Sequence, residues 1–184
     1  MVRKSSGGID LQKVRETLVL LLLGTSMSKS HSMVQIQKEF FYLWRSSEKI
    51  KPLIRFIAHY RGPYSEALND SIRYPKYLEY LWDFVPPRKN DTLTGGLIIL
   101  NDEGQREFNN IIQRIKKANN IEMIQLISAM RLLHDLYDDL SVEEFLYMVY
   151  INPDNIDFIT KSEIYDKIIN KNVKSRLSKR LNIH

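Results

Sequence analysis

The side chains best suited to acid–base or metal chemistry are four histidines, His31, His59, His134 and His184. None falls in the His-Glu-x-x-His pattern that places two imidazoles beside a base on one helical face. The nearest arrangement is His134 with Asp138, one helical turn apart and so on one face, with Asp135 and Asp139 adjacent. Such a set is the beginning of a divalent-metal site, and hence of a metal-dependent nuclease, but a complete site needs ligands from elsewhere in the chain. A solvated acidic face is the plainer reading. Cysteine is absent, which removes thiolate ligands and disulfides together. The nucleophile pattern Gly-x-Ser-x-Gly is missing, and so is the phosphate-cradling Gly-x-x-x-x-Gly-Lys-Ser/Thr, since Gly95-Gly96 lacks the Lys and the helix spacing that follow. Glu143 and Glu144 are helix neighbours that point about 100° apart, so they read as helix surface and cap rather than as a catalytic pair. The expectation is a chain with no catalytic residues, no cofactor and no metal.

Binding is better supplied. The chain carries a net charge of +5, with 27 Lys/Arg against 22 Asp/Glu, and the charges are segregated. Residues 1–60 are basic, residues 61–100 are balanced, residues 101–160 are acidic and residues 161–184 are basic again. The acidic belt centres on Asp135, Asp138, Asp139, Glu143 and Glu144. The basic tail sets Lys167, Lys171, Lys174, Arg176, Lys179 and Arg180 opposite an apolar seam of Ile164, Ile168, Ile169, Val173, Leu177 and Leu181. It either folds back on the acidic belt or reaches an outside polyanion or acidic partner. A solvated terminal helix, helped by cations near its negative end, is the bland alternative. Lys38 and Arg45, placed on the wetter side of the second helix, join the candidate contacts. Tyr74, Tyr77, Tyr80, Trp82 and Phe84 are dense enough to stack on bases, yet only Arg73 and Lys76 lie close by, so core or partner interface is the preferred reading.

These residues must be positioned by a helix-rich scaffold, since Gly and Pro are few and Leu, Ile, Glu, Lys and Arg are plentiful. A first helix, capped by Asp10 and stopped at Gly24, follows from Leu11, Val14, Leu18, Leu21 and Leu22. After a polar loop over residues 25–32, the box Ser32 to Gln35 opens a second helix with Ile36, Phe40, Leu43 and Trp44 inward and Gln37, Lys38 and Arg45 outward. Residues 53–60 lean to a short strand. Gly62-Pro63-Tyr64-Ser65 punctuates the chain and Ser65 caps the next helix, which is broken at Tyr74-Pro75 and resumes to about Phe84. Residues 92–100 read as a small hairpin turning at Gly95-Gly96. Asn101 caps a helix that has Gly104 in its first turn and a stripe of Phe108, Ile111, Ile112 and Ile115. Two further helices follow, over residues 121–137 and 142–150, the second boxed by Ser141 and Glu144, and Thr160 to Glu163 is a possible box for the tail. The fold class is mainly α with a small β-hairpin wing. It has a winged-helix-like core over residues 1–118, a helical extension of the same domain over 119–160, and the basic amphipathic tail over 161–184.

Three patterns together carry a family resemblance: Ile36 to Leu43, Tyr60 to Leu68 around Gly62-Pro63-Tyr64-Ser65, and Ile98 to Gly104. With Leu140-Ser141, Glu144 to Tyr150 and Asn152-Pro153, their order resembles that of SocA-like and YwgA-like proteins over roughly residues 9–160. Asn101 stands where that group often has Thr, and the basic tail lies outside the resemblance. The resemblance implies a winged-helix-derived fold in a prokaryotic family of antitoxins and regulators found around defence modules, whose SocA-like members act mainly by gripping other proteins. The resulting expectation is a cytoplasmic, non-catalytic, antitoxin-like or accessory subunit. Its partner is a toxin or a nucleic-acid-handling effector, with nucleic acid bound directly or through that partner. The alternative is a DNA-binding winged-helix regulator. The most apolar stretch, Leu18 to Leu23, is too short for a membrane span and reads as buried helix.

Overall fold

Helix α1 (Leu11–Thr25) begins where the Asp10 carboxylate accepts the amides of Gln12 and Lys13, and its run from Leu18 to Leu23 is wholly buried. The computed structural model describes residues 10–180, so Leu181 and His184 lie outside the described residues. Gly24 does not stop α1. It is a close-packing position, since a Cβ there would stand 2.3 Å from Cγ of Phe108 on helix α4.

The expected polar loop before the second helix contains strand β1 (Ser30–Ser32), and α2 (Met33–Ser46) follows, with Ser32 Oγ accepting the Gln35 amide at 3.0 Å. The Gln35 side chain does not reach back to Ser32; it turns to Glu39 and Asp138. The strand expected over residues 53–60 narrows to β2 (Ile57–His59), which pairs antiparallel with β3 (Gly62–Tyr64). Gly62 makes this turn at φ +82, a conformation that disfavours any side chain. Ser65 caps α3 (Glu66–Arg73), as its position before Glu66 predicts.

Two expectations fail on either side of the sheet. The second helical piece up to Phe84 is not formed: Glu16 on α1 gathers the amides of Lys76, Tyr77 and Leu78, each at 2.8 Å, and the chain then leaves as strand β4 (Trp82–Val85). Strand pairing and a buried carboxylate override the local helical pattern. Residues 92–94 are likewise not an arm of the wing. The wing hairpin is β4 with β5 (Leu97–Leu100), in the register Trp82–Leu100 to Val85–Leu97. Gly95 and Gly96, at φ +72 and +106, bring the carbonyls of Thr94 and Gly96 to the amides of Val34 and Met33, closing the start of α2.

The sheet order is β1-β5-β4, all antiparallel. The sequence α1-β1-α2-α3-β4-β5 is a winged-helix-like core into which the β2–β3 hairpin is inserted. Asn101 accepts the Gly104 amide to cap α4 (Asp102–Lys117), and Gly104 lies so near the Leu81 carbonyl that no side chain fits. Helix α5 (Ile121–Tyr137) packs against α1, and α6 (Val142–Ile151) carries the complete Ser141–Glu144 box. The expected box at Thr160 starts no helix, because Ser162 and Glu163 are held by the Tyr60 carbonyl of the inserted hairpin. Short helices α7 (Ile156–Ile159) and α8 (Tyr165–Ile168) lead to α9 (Lys171–Arg180).

One apolar core joins α1, α2, α4, α5 and the sheet; a second lies beneath α6 and takes in Ile159, Ile168, Val173 and Leu177. Ile127 and Met130 of α5 belong to the first core. Residues 161–180 pack on α6 instead of trailing from it. No helix among the described residues is long and apolar enough to cross a membrane.

Candidate functional site

Helix α2 runs through the middle of the molecule, and three consecutive polar residues on it point about 100° apart to three different neighbours. Gln37 clamps Ser65, accepting its amide at 2.9 Å and donating to its carbonyl at 3.0 Å. Lys38 donates from Nζ to the Pro63 carbonyl at 2.7 Å. Glu39 faces His134 on α5, with Oε1 3.5 Å from Nδ1. All three are buried, so Gln37 and Lys38 are not the wet side of the helix, and Lys38, at 2% exposure, offers no surface for nucleic acid. Burial, reinforced by the Arg61 guanidinium, pushes the Lys38 ammonium down to about 7.

Around Glu39 the structure gathers a polar cluster that the sequence only half reveals. His134 and Asp138 meet as their spacing predicts, Nδ1 to Oδ1 at 3.0 Å. The acidic-face reading fails for this pair: His134 is buried, and His31 from β1 closes the other side, its ring centroid 5.3 Å from that of His134. Gln35 donates to both carboxylates, and Ser26 donates to Asp138 at 2.6 Å. Burial works to lower the His134 imidazolium, but the hydrogen bonds it donates to Asp138 and Glu39 outweigh it and raise it to about 10. Burial likewise works to raise Asp138, and the hydrogen bonds from His134 and Ser26 hold it below its ordinary value. His59 lies apart, stacked on Tyr64 in the inserted hairpin.

The predicted contact residues separate into two groups. Arg176 and Arg180 turn inward to the acidic belt: Arg176 binds Glu143 at 2.6 Å, and Arg180 reaches Glu144 at 3.5 Å and the Asp139 carbonyl. Arg45 is tied to Asp154. Lys167, Lys174 and Lys179 stay exposed, while the side chain of Lys171 lies outside what is described. The tail therefore answers the acidic belt within the chain through two of its five described candidate cations. Of the aromatic group, Trp82 is core, with its indole N–H on the Ile72 carbonyl, whereas Tyr74, Tyr77 and Tyr80 are exposed.

The feature that sequence reasoning passed over is the outer face of α5. This helix carries apolar side chains on its outer side as well as its inner one. Its inner side, Ile127, Met130 and His134, is buried, but Ile121, Ile124, Leu132 and Leu136 are 58%, 38%, 59% and 54% exposed. With Ser128 they recur at spacings of three or four, which is one continuous stripe on a helix. On a neighbouring side of α5, past Glu122 and Gln125, lies a groove of about 1020 Å³ whose apolar lining includes Val14, Leu18, Leu43, Leu53, Met123 and Leu126. The signal was available in the sequence as a 17-residue helix with too many apolar positions for one buried face. Comparisons of this chain with family models, with curated proteins and with solved structures return no match.

Proposed function

We propose that the chain is a non-catalytic interaction protein, antitoxin-like or an accessory subunit, that binds a partner protein through the outer face of α5. The observation that carries this reading is the stripe Ile121, Ile124, Leu132 and Leu136, four large aliphatic side chains left in water on one helix beside an apolar groove. The occupant is an amphipathic helix of the partner, laid along α5 with one anchoring side chain in the groove. A second copy of this chain fits less well. An antiparallel α5 pair centred near Ser128 sets Glu122 of one copy against Asp135 of the other. The resemblance to SocA-like proteins supports a prokaryotic setting in a defence or nucleic-acid-handling complex.

DNA reading is the weaker function for this geometry. The exposed or half-exposed polar side chains of α3, the helix a winged-helix reader inserts in the groove, are Glu66, Asn69, Asp70 and Arg73, whose sum is negative. The wing does expose Arg88 and Lys89, which suits backbone contact alone.

The test compares wild type with Leu132→Glu/Leu136→Glu in affinity purification from the native cell, with a photo-crosslinker at Ser128. The reading expects one protein in stoichiometric amount, crosslinked at Ser128, and lost with the double variant at unchanged melting temperature. A partner that the double variant retains, or nucleic acid in its place, overturns it.

A further inference from the structure

We propose that His31, His134 and Asp138, with Glu39 beside them, form a binding site for one divalent transition-metal ion, zinc foremost, which pins α5 to the winged-helix core. The two imidazoles are set for it by backbone alone. His31 Nε2 lies 3.1 Å from the Ser28 carbonyl and His134 Nε2 lies 2.8 Å from the Leu22 carbonyl. A carbonyl only accepts, so both Nε2 atoms carry the proton and both Nδ1 atoms turn to the cluster. This is the outer-shell arrangement that orients ligating histidines.

Distances and charge agree with that occupant. His134 Nδ1 is 3.0 Å from Asp138 Oδ1 and 3.5 Å from Glu39 Oε1, and His31 Nδ1 is 4.0 Å from Asp138 Oδ1. Ligands about 2.0–2.1 Å from a tetrahedral ion sit roughly 3.3–3.4 Å from one another, which these spacings bracket. The Asp138 carboxylate in the set and the Glu39 carboxylate beside it balance a dication, and nitrogen–oxygen sets suit zinc among the divalent metals. Gln35 and Ser26 already orient the carboxylates from outside.

Protons are the rival occupant, and they leave atoms over. An imidazolium on His134 satisfies Asp138 Oδ1 and Glu39 Oε1. It does nothing for His31 Nδ1 or Glu39 Oε2, which are buried and have no hydrogen-bond partner among the described residues. Unpartnered buried polar atoms are costly, and His31 Nδ1, turned toward Asp138 and His134, calls for a ligand. With both imidazoles enclosed, the ion would hold α5 and the strand before α2 together.

The full chain, purified without any metal column, is to be assayed for metal by mass spectrometry, then stripped with EDTA and titrated with Zn²⁺ and with Co²⁺. The expected result is close to one zinc per chain, a rise in melting temperature on adding zinc, and the intense visible spectrum of four-coordinate cobalt. His31→Gln and Asp138→Asn should each weaken zinc binding by at least about 100-fold. A stripped, folded wild type that takes up no zinc, a pale six-coordinate cobalt spectrum, or zinc binding that both variants retain overturns the site. If either variant fails to fold, the wild-type cobalt spectrum and zinc-dependent melting decide.

Discussion

Replacing Lys38 by Met should stabilise the protein at neutral pH and reverse that advantage in alkali. Lys38 is buried on α2 with one partner, the Pro63 carbonyl, and its ammonium is depressed from 10.5 to about 7 by burial and then by Arg61. At about 1.4 kcal/mol per pH unit, that depression is a cost to the fold of about 5 kcal/mol below neutrality. Between about pH 7 and 10.5 the unfolded chain holds a proton on Lys38 that the folded chain has released. Stability from this group therefore rises with pH across that window and is flat below it. Met removes the cost but strands the Pro63 carbonyl, a loss of about 1–2 kcal/mol. The variant should be more stable by about 3 kcal/mol near pH 7, roughly equal near pH 9, and less stable by about 0.5 kcal/mol near pH 10.

The assay is urea unfolding of both proteins in EDTA at several pH values from about 7 to 10, reading only the difference between them. His134, raised to about 10, contributes a slope of opposite sign in this window, because its folded form keeps a proton that the unfolded form releases; it is common to both proteins and cancels. His59, lowered by burial and then by Lys38 and Arg61, titrates below the window. Parallel stability curves for the two proteins would refute the buried placement of the ammonium.

Other substitutions read other parts of the scaffold. Gly24→Ala should cost about 2–3 kcal/mol in urea unfolding, because its methyl meets the Phe108 ring, and Phe108→Leu in the same chain should recover part of the loss. Glu16→Gln replaces a carboxylate that serves three amides and should cost about 2–4 kcal/mol; hydrogen exchange should quicken first at Lys76, Tyr77 and Leu78. Leu177→Ala should cost about 2–4 kcal/mol and open α9 to proteolysis, whereas Arg176→Ala, losing a solvent-facing pair with Glu143, should cost less than about 1 kcal/mol.

The elements legible in the sequence are those whose signals are local. The caps at Asp10, Ser65, Asn101 and Ser141 and the stripe on α4 all sit where residue type and spacing put them. What failed depends on distant chain. Residues 75–84 carry a helical pattern, yet Glu16, some sixty positions away, collects their amides, and β5 claims the strand that follows. Gln37 and Lys38 read as solvent-facing in the sequence because polar side chains usually belong there. Their partners, Ser65 and Pro63, are supplied by a hairpin inserted after α2. The metal cluster was half legible for the same reason: His134 and Asp138 share a helix, but His31 and Glu39 reach them only through the packing of α2 on α5.

That packing also settles which way α5 faces. A helix with apolar side chains on two sides gains from burying either, so hydrophobic burial alone does not choose between them. His134 and Asp138 do. Each turn of rotation away from the observed one would carry a buried imidazole off Glu39 and the Leu22 carbonyl and leave those groups unpaired, at several kcal/mol. Buried polar pairs of this kind contribute little net stability but select one arrangement among near-equals. The cluster inside α5 thus determines that Ile121, Ile124, Leu132 and Leu136 stand in water on its outside. The exposed apolar stripe and the polar cluster beneath it are two sides of one positioning device.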